Sequence, residues 1–71
     1  MSIPLPQHVS RKLSQIRKKY KLTQEEVAER AGIGVRYYQL LESPRAVDIR
    51  LSTLEKLAKA LRLPPSQLLK S

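Results

Sequence analysis

The stretch from Leu22 to Glu42 reads LTQEEVAERAGIGVRYYQLLE, and it decides how the rest of the chain is interpreted. Thr23 and Glu26 form a capping-box pattern, in which each side chain satisfies the other residue's backbone N–H and a helix begins. Gly32 follows that helix, as glycine commonly does where a helix ends in a left-handed turn. A second helix over Val35–Glu42 comes directly after it. The stretch therefore predicts two short helices joined by a tight turn.

The apolar residues of this stretch predict how the two helices pack. Ala28 is small, which permits a close approach of the helices, and Ile33 fills the space between them. Tyr38 and Leu41 share one face of the second helix at about 100° per residue, so they point to the core. A helix-turn-helix requires this packing to hold one helix out as a reading head. Five side chains then lie on or beside the outward face: Val35, Arg36, Tyr37, Gln39 and Leu40.

These outward side chains carry the groups that read duplex DNA. Arg36 can donate two hydrogen bonds to guanine O6 and N7, and Gln39 can pair with adenine N6 and N7. Val35 and Leu40 can contact a thymine methyl group. The hydroxyl of Tyr37 can reach a phosphate, and packing at the rim of the helix is the alternative. For Arg36 the alternative is an ordinary solvated charge.

Helical periodicity continues on the N-terminal side of the motif. A helix from about His8 to Tyr20 is predicted, because apolar residues recur at the spacing of a core-facing side: Val9, Leu13, Ile16 and Tyr20. Residues 1–7 contain prolines at alternate positions, and they predict an extended arm. We therefore divide the chain into this arm and a helix-turn-helix domain over residues 8–71.

On the C-terminal side the chain predicts a loop and two more helices. Residues 43–50 predict the loop, since Pro44 opposes continuation of the helix before it. Ser52 and Glu55 repeat the capping-box pattern, which predicts a helix from Ser52 to Arg62. A final short helix over Pro65–Leu69 starts with proline in its first turn. No strand pattern is visible. The predicted fold class is all-α, a compact bundle of five short helices.

The charge balance favours an anionic partner. The chain has 14 Lys and Arg against 6 Asp and Glu, a formal net charge of +8. Nucleic acid is the usual partner of so positive a small domain, ahead of an anionic membrane. The candidates for phosphate contact, each with an ordinary solvated charge as the alternative, are Arg17 and Lys21 in the first helix and Arg45 and Arg50 in the loop.

Length and residue types exclude several classes of protein. The 71 residues are enough for one domain and too few for two. No apolar run approaches the roughly 20 residues of a membrane span, and the first residues do not form a signal peptide. The chain has a single histidine and no cysteine, so no nucleophile–base pair or metal-ligand set is visible. We expect a cytoplasmic protein that is not an enzyme and has no metal, cofactor, small-molecule substrate or membrane partner.

Four segments resemble, in order and spacing, the XRE-like family of Cro and phage repressors. Together they cover roughly Leu13 to Leu69: LTQEEVAERAGI at 22–33, YQLLE at 38–42, LSTLEKLAKAL at 51–61 and PPSQLL at 64–69. The resemblance implies a lambda-repressor-like DNA-binding domain and a transcriptional regulator, a repressor, that places helix 35–42 in the major groove of double-stranded DNA. It also implies that Gln24 bonds a phosphate at the start of helix two and that Gly34 to Leu40 face the groove.

The chain departs from that family at three places. Gly34 stands where a serine or threonine cap is usual. Pro44 replaces a usual glycine, and the loop that follows is one residue longer. Val35 and Leu40 stand where polar base readers are common, and these apolar side chains favour an alternative function. In that alternative the scaffold is a protein-interaction module, for example an antitoxin.

The sequence also leaves the oligomeric state open. Repressors of this type usually act as dimers on half-sites roughly 34 Å apart. A homodimer would have to use the C-terminal helix, with Leu63, Leu68 and Leu69, or the arm at Ile3 and Leu5.

Overall fold

The computed structural model describes residues 1–45 and 48–70. Within these ranges the elements are, in chain order, β1 (Ser2–Pro4), α1 (Gln7–Lys19), α2 (Gln24–Ala31), α3 (Val35–Glu42), β2 (Asp48–Arg50), α4 (Leu51–Ala60) and α5 (Pro65–Leu69). The predicted bundle of five short helices is confirmed. The two short strands pair as an antiparallel sheet that the sequence pattern does not predict. In the described part of the chain, no helix is long and apolar enough to cross a membrane.

The core lies between the five helices and is built mainly from leucine, with alanine and valine. Tyr38 is its largest fully buried side chain, and Leu41 on the same face of α3 is also fully buried. Ala28 is buried on α2, which packs against both α3 and α4. Strand β2 contributes Ile49, and the segment before α1 contributes Leu5. The predicted inward face of α3 is therefore confirmed.

Tyr20 was predicted on the core-facing side of the first helix, and this prediction is wrong. The helix ends at Lys19, so Tyr20 is its C-cap residue, with a backbone outside the regular helix (φ −88°, ψ 3°). Its side chain is 46% exposed. Periodicity holds only while the backbone remains helical, and the turn starts one residue before the pattern predicts.

Three helices end in the same kind of left-handed turn. Backbone φ is +70° at Gly32, the first residue after α2, and it is +56° at Lys21 and +58° at Arg62, the second residues after α1 and α4. In each case the next residue donates its N–H to a carbonyl five residues back, at 2.8 to 3.0 Å. This Schellman pattern satisfies carbonyls that the end of a helix leaves unpaired. The role predicted for Gly32 is confirmed.

The start of α2 has the predicted capping box. Thr23 Oγ1 accepts from the N–H of Glu26 at 3.1 Å, and Glu26 Oε1 accepts from the N–H of Thr23 at 2.8 Å. The hydrogen bonds from Thr23 hold the pKa of the Glu26 carboxyl below its usual value. The capping box thus fixes the residue at which α2 begins.

The second predicted capping box, between Ser52 and Glu55, does not form. Helix α4 begins at Leu51, its N-cap is Arg50, and no side chain caps it. Strand pairing explains the difference, because it keeps the chain extended up to Arg50. The N–H of Leu51 then donates to the carbonyl of Met1 at 2.9 Å, so Ser52 already lies inside the helix. Residues 43–50 were predicted to form a loop, and this is wrong for residues 48–50. These residues form β2, because they pair with β1.

The extended conformation predicted within residues 1–7 is present at Ser2–Pro4. These residues pair with β2, with Ser2 opposite Arg50, Ile3 opposite Ile49 and Pro4 opposite Asp48. Proline is tolerated there because each strand of a two-stranded sheet is an edge strand. The segment packs onto the bundle through its apolar side chains and continues directly into α1.

A salt bridge joins α1 to the end of α3. Arg17 Nε donates to Glu42 Oε2 at 2.7 Å, and Arg17 Nη2 donates to Glu42 Oε1 at 3.1 Å. A third donor, Arg17 Nη1, meets the carbonyl oxygen of Leu22 at 2.9 Å. Only 13% of the Arg17 side chain and 7% of the Glu42 side chain are exposed. From α2, Gln24 Nε2 donates to Glu42 Oε1 at 3.1 Å, so one carboxylate holds three helices.

The surroundings of Glu42 set its charge state. Burial alone would raise the pKa of its carboxyl, but the hydrogen bonds and the charge of Arg17, with the hydrogen bond from Gln24, outweigh burial and keep the pKa below its usual value. The hydroxyl of Tyr38 is buried beside this pair, and no described group meets it with hydrogen-bond geometry. Burial, and then the nearby carboxylate, raise the pKa of Tyr38, so its phenol stays neutral.

Substitutions of the two glycines should change the free energy of unfolding in opposite directions. At Gly32 an added Cβ meets nothing within 4 Å, so the cost of Gly32→Ala is backbone strain at φ +70°, about 1 kcal/mol. Gly34 has an ordinary extended backbone (φ −68°, ψ 142°) at the N-cap of α3. Gly34→Ser adds a capping hydroxyl there and stabilises the fold by about 0.5 kcal/mol. Thermal or urea unfolding checks both values, and a stabilising Gly32→Ala would contradict the left-handed turn.

The lowered pKa of Glu42 predicts a loss of stability in acid. A carboxyl with a depressed folded-state pKa stabilises the fold above its usual value of about 4.5, and that stability disappears as the pH falls through the lower folded-state value. Glu42→Gln leaves the Arg17 charge nearly buried and unpaired, and we expect a cost of about 2–4 kcal/mol at pH 7.

Urea unfolding of both proteins from pH 7 to pH 2 measures this effect. The difference in unfolding free energy should shrink as the pH falls below about 4.5, whereas any contribution of Glu26 is common to both and cancels. The double variant Arg17→Met/Glu42→Leu is the control, because it removes both charges and should recover most of the loss. A pH-independent difference would show that the Glu42 charge does not stabilise the fold.

Candidate nucleic-acid interface

Helix α3 presents the predicted outward row to solvent. Arg36, Gln39 and Leu40 are exposed, and Leu40 is 49% exposed although it is a large apolar residue. Val35 and Tyr37 are half-buried at the two edges of the row. Because Tyr38 and Leu41 on the opposite side of α3 are buried in the core, this row has a fixed direction relative to the rest of the fold. An exposed row of mixed polar and apolar side chains on one helix has the size and chemistry of a major-groove reader.

The start of α3 is open. Its N-cap, Gly34, provides no side-chain hydrogen bond, and the first turn of the helix contains no acidic residue. The first N–H groups of a helix have no partner within it, and they attract anions. Because no atom lies within 4 Å of a Cβ built at Gly34, another backbone can approach closely at this point.

Gln24 is held in place at the start of α2. It is the first residue of that helix, and its amide donates to Glu42 on α3. The amide nitrogen carries a second N–H, which no described hydrogen bond uses. This amide is held at a helix N-terminus, where an anion such as a phosphate is favoured, so the phosphate contact of Gln24 stays a prediction.

Arg17, predicted as a phosphate contact, has a structural position instead. Three of its N–H donors are bound to Glu42 and to the carbonyl of Leu22, and hydrogen bonding to Glu42 raises the pKa of its guanidinium further. This pairing could not be predicted from the sequence, because Arg17 lies among other basic residues and Glu42 is 25 residues away. Lys21, the other candidate in this region, is exposed two residues before the cap of α2.

A cleft of about 470 Å³ brings together residues from four elements. Tyr37 from α3 and Arg50 from β2, both predicted as phosphate contacts, lie on its walls. The remaining lining residues were missed by the sequence analysis: Ser2 from β1, Asp48 from β2 and Thr53 from α4. Short-range periodicity could not have found them, because the pairing of β1 with β2 places them together. Thr53 is 5% exposed, so its side chain is almost buried beside the cleft.

Arg45 does not line this cleft. It is exposed in the turn after α3, and its backbone N–H donates to Ser43 Oγ at 3.1 Å. The structure therefore separates the two arginines that the sequence placed in one loop. Arg50 belongs to the cleft, and Arg45 belongs to the end of α3.

The single histidine has a structural position, and the described residues contain no metal-ligand group. His8 Nε2 lies 3.1 Å from the carbonyl oxygen of Leu69, which links α1 to α5. Among the described residues, no group of three or more His, Cys, Asp or Glu side chains could hold a metal ion.

The surface available for a homodimer is smaller than the sequence suggested. Leu68 is fully buried and Leu5 is 5% exposed, so both belong to the core. Leu69 is 39% exposed, and Leu63 and Ile3 are half-buried. Of the five residues predicted for a dimer contact, these three retain apolar surface.

Comparison with known sequences agrees with this geometry. Residues 13–68 match the family model described as helix-turn-helix. Over 51 residues, the chain is 41% identical to the uncharacterized HTH-type transcriptional regulator YozG of Bacillus subtilis (strain 168). That match covers 72% of this chain and 61% of the relative, so the chain spans less than two thirds of the relative's length.

Two solved structures have the same fold. The restriction-modification controller protein C.AhdI from Aeromonas hydrophila has a TM-score of 0.80 and 28% identity, over 86% of this chain and 91% of that one. SinR, a master regulator for biofilm formation solved in complex with DNA, has a TM-score of 0.82 and 26% identity, over 87% and 98%. The resemblance to XRE-like proteins is confirmed, and the chain belongs to the helix-turn-helix family whose model it matches.

Proposed function

We propose that this protein is a cytoplasmic repressor that inserts α3 into the major groove of duplex DNA. The observation that supports this best is the exposed row of Arg36, Gln39 and Leu40 on a helix whose other face is fixed in the core. The net charge of +8 supplies the long-range attraction to DNA. The similar fold of SinR was solved with DNA bound, which supports the same partner for this chain.

The contacts divide into base readout and backbone positioning. Arg36 and Gln39 read guanine and adenine edges, while Val35 and Leu40 meet thymine methyl groups. Because Gly34 has no side chain and open space beside it, DNA can approach the start of α3 closely. Backbone contacts come from residues on both sides of α3: Gln24 and Lys21 near the start of α2, Tyr37 and Arg50 in the cleft, and Arg45 after α3.

A homodimer would double the reading surface. A dimer contact at the C-terminal end would use the apolar surface that the exposed Leu69 and the half-buried Leu63 retain. Two copies joined there would read two half-sites roughly 34 Å apart, and a palindromic operator would result.

Replacement of Arg36 tests base readout directly. Arg36→Ala should weaken binding to a selected duplex about ten- to a hundredfold, because one good bidentate contact to guanine contributes about 1–3 kcal/mol. Fluorescence anisotropy on the selected site and on a variant with the guanine replaced measures the effect. The native chain should discriminate between the two duplexes, and Arg36→Ala should not.

Arg30→Ala is the matched control for charge. Arg30 is also exposed, but it lies at the C-terminal end of α2, where it lines a surface pocket with Lys59 and Ala60 of α4. Its loss should weaken binding to both duplexes slightly and equally, as the loss of any positive charge does. Equal effects of Arg36→Ala and Arg30→Ala would contradict base readout by α3, and absence of duplex binding at low salt would overturn the proposal.

The exposure of Leu40 favours a second candidate function, a protein-interaction module such as an antitoxin. An apolar side chain that is 49% exposed at the centre of the row fits a protein surface as well as a thymine methyl group. Leu40→Ser separates the two functions. A repressor loses preference at thymine positions, whereas an interaction module keeps its residual DNA affinity and loses its partner.

A further inference from the structure

We infer that strand β1 is a positioning element for DNA binding, which holds Arg50 and the start of α4 against Tyr37 before DNA arrives. This inference rests on the proposed function, and it assigns a role to a segment outside the matched family residues. The family model matches residues 13–68, so β1 at Ser2–Pro4 lies outside the residues that it matches.

The hydrogen-bond ladder identifies Ile3 as the residue of β1 that holds β2 by backbone hydrogen bonds. The N–H of Leu51 donates to the carbonyl of Met1, and Ser2 lies opposite Arg50. In an antiparallel ladder, hydrogen-bonded and non-hydrogen-bonded pairs alternate. Ser2 and Arg50 are therefore a non-hydrogen-bonded pair, and Ile3 and Ile49 exchange both of their hydrogen bonds. Pro4 lies at the next non-hydrogen-bonded position, where its missing N–H costs nothing.

The same pairing fixes the direction of Arg50. Ile49 is fully buried, and successive side chains of a strand point to opposite faces, so Arg50 points outward. Ser2 lies opposite Arg50 and on the same face, and both line the cleft with Tyr37. The inner face of the two-stranded sheet β1–β2 thus packs on the core, and its outer face forms one wall of the cleft.

The cleft suits a phosphate group of the DNA backbone. Three hydroxyl groups and one guanidinium line it, from Ser2, Tyr37, Thr53 and Arg50. Helix α4 starts beside it, with no side-chain cap and no acidic residue in its first turn. The N-terminus of a helix favours an anion, and the side chain of Thr53, which is 5% exposed, lines the cleft there. Asp48 is the acidic residue of the cleft, and it disfavours an anion placed close to its side chain.

Strand β1 makes this cleft a preformed site. A three-residue strand has no internal hydrogen bonds, so β2 has a fixed backbone only while a partner strand is present. Without β1, DNA binding would have to order the backbone around Arg50, and that loss of conformational entropy would reduce the affinity. The competing explanation is that β1 only stabilises the fold, and it makes a different prediction for Arg50.

A double-mutant cycle on the full chain separates the two explanations. Ile3→Pro removes the N–H that bonds Ile49, while proline itself is compatible with an edge strand. We expect Ile3→Pro and Arg50→Ala each to weaken duplex binding about tenfold and to reduce the slope of log affinity against log salt by about 0.9, the value for one phosphate contact. The double variant should be no weaker than either single variant, because both changes remove the same contact.

Ala60→Gly is the control for stability. It lowers stability by about 1 kcal/mol at the opposite end of α4, where no cleft residue lies, and it should leave affinity and salt slope unchanged well below the unfolding temperature. If Ile3→Pro does not fold by circular dichroism, Ile3→Gly gives a milder form of the same cycle, because glycine weakens the strand and removes the side chain that packs it onto the core.

Three results would overturn the inference: an unchanged affinity of the folded Ile3 variant, an unchanged affinity of Arg50→Ala, or additive effects of the two changes. Each of them leaves the proposed function standing if the duplex still binds and Arg36→Ala still loses base preference. Failure of the native chain to bind any duplex at low salt would instead remove the proposed function and this inference together.

Discussion

The carboxylate of Glu42 is the point at which three helices meet. It accepts two hydrogen bonds from Arg17 on α1 and one from Gln24 on α2, while its own backbone is the last residue of α3. A reading helix is useful only if its outward face has a fixed direction, and apolar packing alone allows some rotation of a short helix. Buried ion pairs add little net stability compared with apolar residues of the same size, because desolvation offsets the attraction. The gain from this pair is therefore orientation, and the same carboxylate also fixes the side chain of Gln24 beside the reading helix.

The parts of the fold that were predictable from sequence are those set by neighbouring residues. Thr23, Glu26 and Gly32 act within a few positions of themselves, so the limits of α2 follow from local chemistry. The phase of Tyr38 and Leu41 gave the buried side of α3 for the same reason. What was missed depends on contacts between distant segments. The pairing of β1 with β2 joins the two ends of the chain's first fifty residues. Helix α4 starts before the predicted capping box, because the N–H of Leu51 bonds the carbonyl of Met1.

The candidate site divides in the same way. The residues of the reading row were predicted because they lie on one short helix, whereas Ser2 and Thr53 reach the cleft only through tertiary structure. Arg17 shows the converse error, since a basic residue among basic residues is indistinguishable by sequence from a solvated one. Its exposed fraction of 13% separates it from its neighbours. In a chain with a net charge of +8, composition says how strongly DNA attracts the protein, but burial decides which cations can reach a phosphate.

The balance between polar and apolar readers bears on how such a domain recognises a site. Arg36 and Gln39 are the polar side chains at the centre of a row whose other members are Val35, Tyr37 and Leu40. Thymine methyl contacts discriminate less sharply than bidentate hydrogen bonds, so affinity must come largely from the backbone contacts around α3. Phosphate contacts contribute most when they are already ordered, because binding then loses less conformational entropy. A cleft walled by a paired strand next to a reading helix is such an arrangement, and it gives a small domain a means of raising affinity without adding base contacts.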